Sequence, residues 1–115
     1  MSKSKDFDGG NVLGPWIVTP DEIPDVYNLK MVARLNGEPM GRGGSNTSGM
    51  YHRWDAILAY ASEGETLYPG EVIGSGTVGG GTLVETGRFL ADGDLIELEI
   101  EHLGVLRNRV VAATA

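Results

Sequence analysis

The sequence predicts an α+β fold that is mostly β, built from short strands and hairpins with one amphipathic helix. Glycine accounts for 18 of the 115 residues, more than twice its average share of about 7%, and this frequency favours tight turns over long helices. Apolar and polar residues alternate in several short segments, as half-buried strands require. Only one segment has the apolar spacing of a helix.

The first elements are expected near the N-terminus. Gly14–Val18 has the apolar character of a short buried strand. Thr19 then precedes a proline and two acidic residues, the composition of a helix N-terminus, and Pro24 should end that helix after about one turn. One short strand and one helical turn are therefore predicted here.

A hairpin is predicted next. Leu29–Leu35 alternates, and the side chains expected on one face are Leu29, Met31, Ala33 and Leu35. Asn36 and Gly37 follow, a pair that accepts the positive φ angles of a type I′ turn. The return strand should begin near Glu38.

One segment has helical spacing. Its apolar stripe consists of Met50, Trp54, Ile57, Leu58 and Ala61, which lie on one side of a 3.6-residue repeat. Thr47 or Ser48 is positioned to cap its start and Gly64 to end it. His52 lies off the stripe, which predicts an exposed helix histidine and not a catalytic one.

The C-terminal part is predicted to be strand and turn. Glu71–Gly76 should run as a strand into a glycine loop, and Asp92-Gly93 should form a turn. Leu95–Glu101 and Gly104–Val111 alternate and are expected to pair as a hairpin. The side chains predicted to point inward are Ile96, Leu98 and Ile100, and those predicted to point outward are Glu97, Glu99 and Glu101. We interpret the acidic alternation as a solvated face that discourages edge-to-edge pairing, in preference to a metal site.

Composition excludes several functions. A formal charge of −7 disfavours binding to nucleic acid, and the absence of cysteine excludes disulfides and thiolate chemistry. No apolar run approaches the roughly 20 residues of a membrane span, and the N-terminus lacks the apolar region of a signal peptide. We expect a single domain in the cytoplasm.

The loop Gly74–Gly81 contains five glycines in eight positions. A phosphate-binding P-loop would continue with lysine and open a helix, whereas Thr82 follows here and no helix is predicted. Two interpretations remain open: backbone amides that bind a small carboxylate, or a turn that serves packing alone.

The order of several segments resembles the C-terminal half of the fumarylacetoacetate hydrolase family. These segments are "KDFDGGNVLGPWIVTPDEIPD", "LNGE", "NTSGM", "TLYPGEVIGSGTVGGG" and "RFLADGDLIELEIEHLGVLRNRVV". The resemblance implies an incomplete mixed β roll over residues 1–115, a dimer or other homo-oligomer, and an enzyme that acts on small keto acids. It also implies Mg²⁺ or Mn²⁺ as the cofactor of the complete enzyme.

The resemblance assigns roles to individual residues. Lys5 matches a lysine that stabilises oxyanion charge in the substrate, and Glu85 matches a glutamate that orients a water-activating histidine. Thr77 matches a threonine that binds a substrate carboxylate together with the neighbouring amides of Gly76 and Val78.

The family's metal ligands lie upstream of the segment that this chain matches, so the resemblance implies no metal ligand among its residues. We therefore expect little or no turnover by the chain alone. The alternative is a non-catalytic module that dimerises or complements another chain.

Overall fold

A computed structural model describes residues 7–112 of the chain. Its strands are β1 (Lys30–Leu35), β2 (Glu38–Pro39), β3 (Ser45–Asn46), β4 (Leu95–Ile100) and β5 (Gly104–Arg109), its α-helix is α1 (Trp54–Ala61), and its 3₁₀ helices are Pro20–Glu22, Thr47–Gly49 and Leu83–Thr86. Every strand pairing in this range is antiparallel, in the order β2-β1-β4-β5, with β3 also paired to β1. The predicted fold class is confirmed.

The hairpin between β1 and β2 has the predicted turn. Asn36 has a φ of 53° and Gly37 a φ of 86°, and Leu35 pairs with Glu38 across them. The Asn36 side chain donates to a carboxylate oxygen of Asp94 at 2.8 Å and accepts from the amide of Leu95 at 2.8 Å. The turn therefore also anchors the start of β4.

The Asp94 carboxylate is held by two donors at this junction. The pKa of Asp94 is lowered, first by the hydrogen bond from the backbone of Ala91 and then by the one from the Asn36 side chain. Both donors favour the charged form of the carboxylate, so the two hairpins are joined by a charge-assisted contact.

The acidic residues of β4 are paired with arginines on the neighbouring strands. Glu97 lies 2.6 Å from Arg107 of β5, and Glu99 lies 2.6 Å from Arg34 of β1. Because β4 lies between β1 and β5, these carboxylates protect no free edge, and that prediction is wrong. Opposite charges on adjacent strands stabilise the sheet modestly.

The two faces of β4 are not buried as predicted. Leu98 is 46% exposed, whereas the side chain of Glu97 is only 12% exposed. The buried hydrophobic side chains among the described residues are Leu29, which is 6% exposed, and Leu35, which is 3% exposed. Leu98 is exposed because no described segment fully covers its face, so its assignment as an inward residue is wrong.

The described residues 7–19 contain no strand, so the strand prediction for Gly14–Val18 is wrong. Ile17 is 95% exposed. Trp16 instead packs its ring on the backbone of β5, where a Cβ on Gly104 would lie 2.9 Å from a ring carbon. The segment contacts the sheet through a side chain and not through a ladder of hydrogen bonds. The short helix after Thr19 is confirmed at Pro20–Glu22.

The α-helix begins later than its apolar spacing predicts. Met50 lies outside it, and Arg53 is the N-cap residue of α1. Tyr27 explains this start, because its hydroxyl accepts the Trp54 amide at 3.0 Å and its ring lies 3.6 Å from the Arg53 guanidinium carbon. The helix ends at Ala61, and Gly64 follows with a φ of 79°.

The remaining predictions for this region have mixed outcomes. Thr47 and Ser48 belong to a separate 3₁₀ helix, which the Asn46 side chain caps. His52 is exposed, but it precedes α1, with its ring against that of Tyr51. The Asp92-Gly93 turn and the β4–β5 hairpin are confirmed, whereas Glu71–Gly76 forms no strand. No helix within residues 7–112 is long and apolar enough to cross a membrane.

Candidate functional site

A cavity of about 510 Å³ lies between the glycine loop and the central strands of the sheet. This volume falls in the range of small-molecule sites. Its lining residues are Met31, Val32, Ala33, Met40, Arg42, Gly44, Ser45, Thr77, Val78, Gly79, Gly80, Gly81, Thr82, Leu98, Glu99 and Ile100. The cavity therefore combines a mainly apolar wall with a loop of backbone amides.

The apolar wall comes from one face of the two central strands. Met31 pairs with Ile100 and Ala33 pairs with Leu98, so these four side chains lie on the same side of the sheet. They are the alternating positions that the sequence marks as apolar. The partly exposed face of β4, which carries Leu98, therefore borders the cavity.

Two glycine-rich segments meet at the edge of this cavity. Gly41 has a φ of 58°, and a Cβ at this position would overlap the carbonyl oxygen of Gly80. Gly80 has a φ of 79°, and a Cβ there would lie 3.3 Å from Nε of Arg42. Glycine is required because one backbone lies directly on the other. The close packing of these two segments therefore explains why glycine occupies position 80.

The same loop also presents free hydrogen-bond donors. The amides from Thr77 to Gly80 donate no hydrogen bond to any residue within 7–112, and the loop is closed by the Gly81 amide, which donates to the Val78 carbonyl at 3.2 Å. The Thr77 hydroxyl likewise has no partner in that range. Backbone amides in such a turn are suited to bind an anion.

The charges at the cavity favour an anion as well. Its lining contains one carboxylate, that of Glu99, which Arg34 neutralises at 2.6 Å. Arg42 forms no ion pair with any residue of the described range. The net local charge is therefore positive although the whole chain is acidic.

The predicted site residues fall in different places. Thr77 and Val78 line the cavity, and Gly76 precedes them with a φ of 92°. Glu85 is exposed on the 3₁₀ helix Leu83–Thr86 and does not line the cavity. Lys5 lies outside the described residues.

Sequence reasoning missed the contribution of the segment after β2. Arg42 and Gly44 line the cavity from this segment, and neither belongs to a motif with a recognised chemistry. The one available signal was a second glycine cluster, Gly41 to Gly44, interrupted only by the arginine. Clustered glycines often mark positions where backbones approach closely.

No metal donor set is present in the described range. Within residues 7–112, no three carboxylate or histidine side chains lie close enough together to hold a metal ion. Glu97 and Glu99 are each paired with an arginine. The residues at this cavity therefore fit a carboxylate and do not fit a divalent cation.

Comparison with known sequences identifies related proteins over nearly the whole chain. A family model described as "Fumarylacetoacetate (FAA) hydrolase C-terminal" matches residues 1–111. Oxaloacetate tautomerase FAHD2A, mitochondrial, from Bos taurus is 43% identical over 108 residues, which is 93% of this chain and 34% of that protein. The 2,4-didehydro-3-deoxy-L-rhamnonate hydrolase of Sphingomonas sp. (strain SKA58) is 41% identical over 112 residues, 95% of this chain and 38% of that protein.

Comparison with solved structures gives the same result for the fold. Maleylpyruvate hydrolase from Sphingobium sp. SYK-6, solved in complex with manganese (II) ion and pyruvate, superposes with a TM-score of 0.73 at 32% identity. The match covers 85% of this chain and 34% of that one. This chain thus spans about a third of the length of these relatives.

Proposed function

Because this chain belongs to the fumarylacetoacetate hydrolase family, we propose that it supplies the carboxylate-binding part of a site for small keto acids. The relatives named above include a tautomerase of oxaloacetate and a hydrolase bound to pyruvate. The proposed ligand is accordingly a keto acid whose carboxylate is bound by the Thr77 hydroxyl and by the amides of the adjoining loop.

One observation carries this proposal: the row of amides from Thr77 to Gly80 that has no acceptor within residues 7–112. A carboxylate offers about four acceptor positions, enough to use several of these donors. Hydrogen bonds to an ionised acceptor are roughly twice as strong as those between neutral groups. The adjacent apolar strands would contact the carbon chain of the ligand.

The reaction belongs to the keto-acid chemistry of this family, such as hydrolysis, decarboxylation or dehydration. We propose that residues 1–115 form a partial domain of such an enzyme in the cytoplasm, that Lys5 and Glu85 assist catalysis, and that Mg²⁺ or Mn²⁺ is bound by a part of the complete enzyme outside this chain. The metal-bound relative supports a divalent ion in the family. Without ligands for that ion, the chain alone should not turn over substrate.

Pyruvate should bind to the isolated chain and shift the backbone resonances of the glycine loop. We expect a dissociation constant on the order of 1 mM, equivalent to about 4 kcal/mol. Replacement Thr77→Val should weaken binding by about ten-fold, because it removes one hydrogen bond to a charged acceptor. Titration by ¹H–¹⁵N NMR measures both the affinity and the residues involved.

Thr66→Val is the matched control, because Thr66 is exposed and does not line the cavity. It should bind pyruvate as the unchanged chain does. Shifts that are absent from Gly76–Gly81 at saturating pyruvate, or an affinity that Thr77→Val leaves unchanged, would contradict the proposed role of the loop.

A second candidate function is a non-catalytic module that associates with itself or with another chain. Its supporting observation is the large apolar exposure, which includes Ile17 at 95%, Tyr51 at 90% and Phe89 at 81%. Large apolar side chains exposed in this number are commonly covered when a protein associates with a partner. The two candidates are compatible if the site is completed by association.

Self-association is expected at micromolar protein concentration, with a dimer as the smallest species. The physical reason is that association removes exposed apolar surface from water. Light scattering coupled to size-exclusion chromatography measures the mass. A single monomeric mass across this concentration range would contradict the prediction.

A further inference from the structure

We propose that Arg42 makes this site selective for keto acids that carry a second carboxylate, by binding that carboxylate beside the glycine loop. This inference rests on the keto-acid binding proposed above. It adds a specificity-determining residue and narrows the ligand from keto acids in general to keto dicarboxylates.

The position of Arg42 supports this role. Its Cγ, Cδ and Nε atoms lie 3.4, 3.5 and 3.3 Å from the point where a Cβ on Gly80 would be. The side chain therefore packs over Gly80, at the opposite end of the Val78–Gly81 turn from Thr77. Gly41, the residue before Arg42, contacts the backbone of Gly80 and so lies against the same loop.

The charge of Arg42 is available to a ligand. Arg34 and Arg107 each form an ion pair with a glutamate of β4, whereas Arg42 forms none with the described residues. The carboxylate that lines the cavity, Glu99, is already bound to Arg34. No described carboxylate therefore competes with a ligand for the Arg42 guanidinium.

The number of donors favours two carboxylates over one. The Thr77 hydroxyl and the loop amides can satisfy the roughly four acceptor positions of one carboxylate. The Arg42 guanidinium offers five further N–H donors in a planar fork that suits a carboxylate. The apolar wall of the same cavity, which includes Ala33 and Leu98, suits a short carbon chain joining two acidic ends.

The test compares two ligands with three variants. Pyruvate carries one carboxylate, and 2-oxoglutarate is a stable keto acid that carries two. NMR titration of the unchanged chain should give tighter binding for 2-oxoglutarate. Arg42→Met should weaken 2-oxoglutarate binding by about ten-fold, since it removes a charge-assisted contact, and change pyruvate binding less than about two-fold. Arg42→Lys keeps the positive charge but not the planar guanidinium, so it should lose less affinity for 2-oxoglutarate than Arg42→Met.

Arg88→Met is the matched control, because Arg88 is an exposed arginine outside the cavity lining. It removes the same charge and should leave both affinities unchanged. An equal loss for both ligands in Arg42→Met, no loss for either, or the same loss in Arg88→Met would each overturn the inference, while pyruvate binding by the unchanged chain would still support the proposed function. Failure of the unchanged chain to bind pyruvate would instead overturn the proposed function, and this inference with it.

Discussion

Replacement Gly41→Ala is expected to weaken pyruvate binding by at least about ten-fold and to lower the free energy of unfolding by about 3 kcal/mol. About 1 kcal/mol comes from placing alanine at a positive φ, here 58°. The rest comes from overlap of the new Cβ with the Gly80 carbonyl oxygen, because overpacking typically costs 1–3 kcal/mol. Relief of that overlap requires the glycine loop to move, which displaces its amides.

Gly43→Ala separates these two effects. Gly43 has a φ of 81°, and a Cβ at that position would meet nothing within 4 Å. Gly43→Ala should lower the free energy of unfolding by only about 1 kcal/mol, the cost of alanine at a positive φ, and should retain pyruvate binding. Urea unfolding and NMR titration of both variants provide the measurements. Equal pyruvate affinities for the two variants would show that the contact with Gly80 does not position the loop.

Replacement Leu35→Ala is expected to lower the free energy of unfolding by about 2–5 kcal/mol, the usual cost of truncating a buried leucine. Leu35 is 3% exposed and pairs with Ile96 of β4 next to the β1–β2 turn. Because only two hydrophobic side chains are buried among the described residues, the loss is a large fraction of the total stability of a small domain. Urea unfolding followed by far-ultraviolet circular dichroism measures the change.

Leu98→Ala is the control on the same face of the sheet. Leu98 pairs with Ala33 and is 46% exposed, so the same truncation should cost only about 1 kcal/mol. Similar losses for the two variants would mean that the Leu98 face is covered in solution. A dimer that buries this face would have that effect, and dilution would then reduce the cost at Leu98.

The hairpins could be predicted because their signals are local. Asn36 and Gly37 tolerate positive φ angles whatever the rest of the chain does, and the alternation in β1, β4 and β5 follows from the strand repeat. Pairing between neighbouring strands then needs only a short turn. Prediction of the helix was accurate within its last turns, whereas its start was set by Tyr27, which lies 27 residues before Trp54.

The errors concern what each face contacts. Alternation identifies two faces of β4 but does not say which one is covered, so it predicts the wrong environments for Leu98 and Glu97. Gly14–Val18 has the composition of a strand, yet it contacts β5 only through side chains such as Trp16. The apolar content of a segment indicates that its side chains favour leaving water. It does not indicate whether a neighbouring strand is present to form backbone hydrogen bonds.

By itself the sequence determined the fold class, the turn positions and the family resemblance, and it located Thr77 in a glycine loop, because these depend on local conformational preference and residue order. Only the tertiary structure decided that β4 lies inside the sheet, that Gly41 supports Gly80, and that Arg42 reaches the cavity without a carboxylate partner in the described range. Gly41 and Gly80 are far apart along the chain. Their contact arises from the path of the whole backbone, which no local pattern encodes.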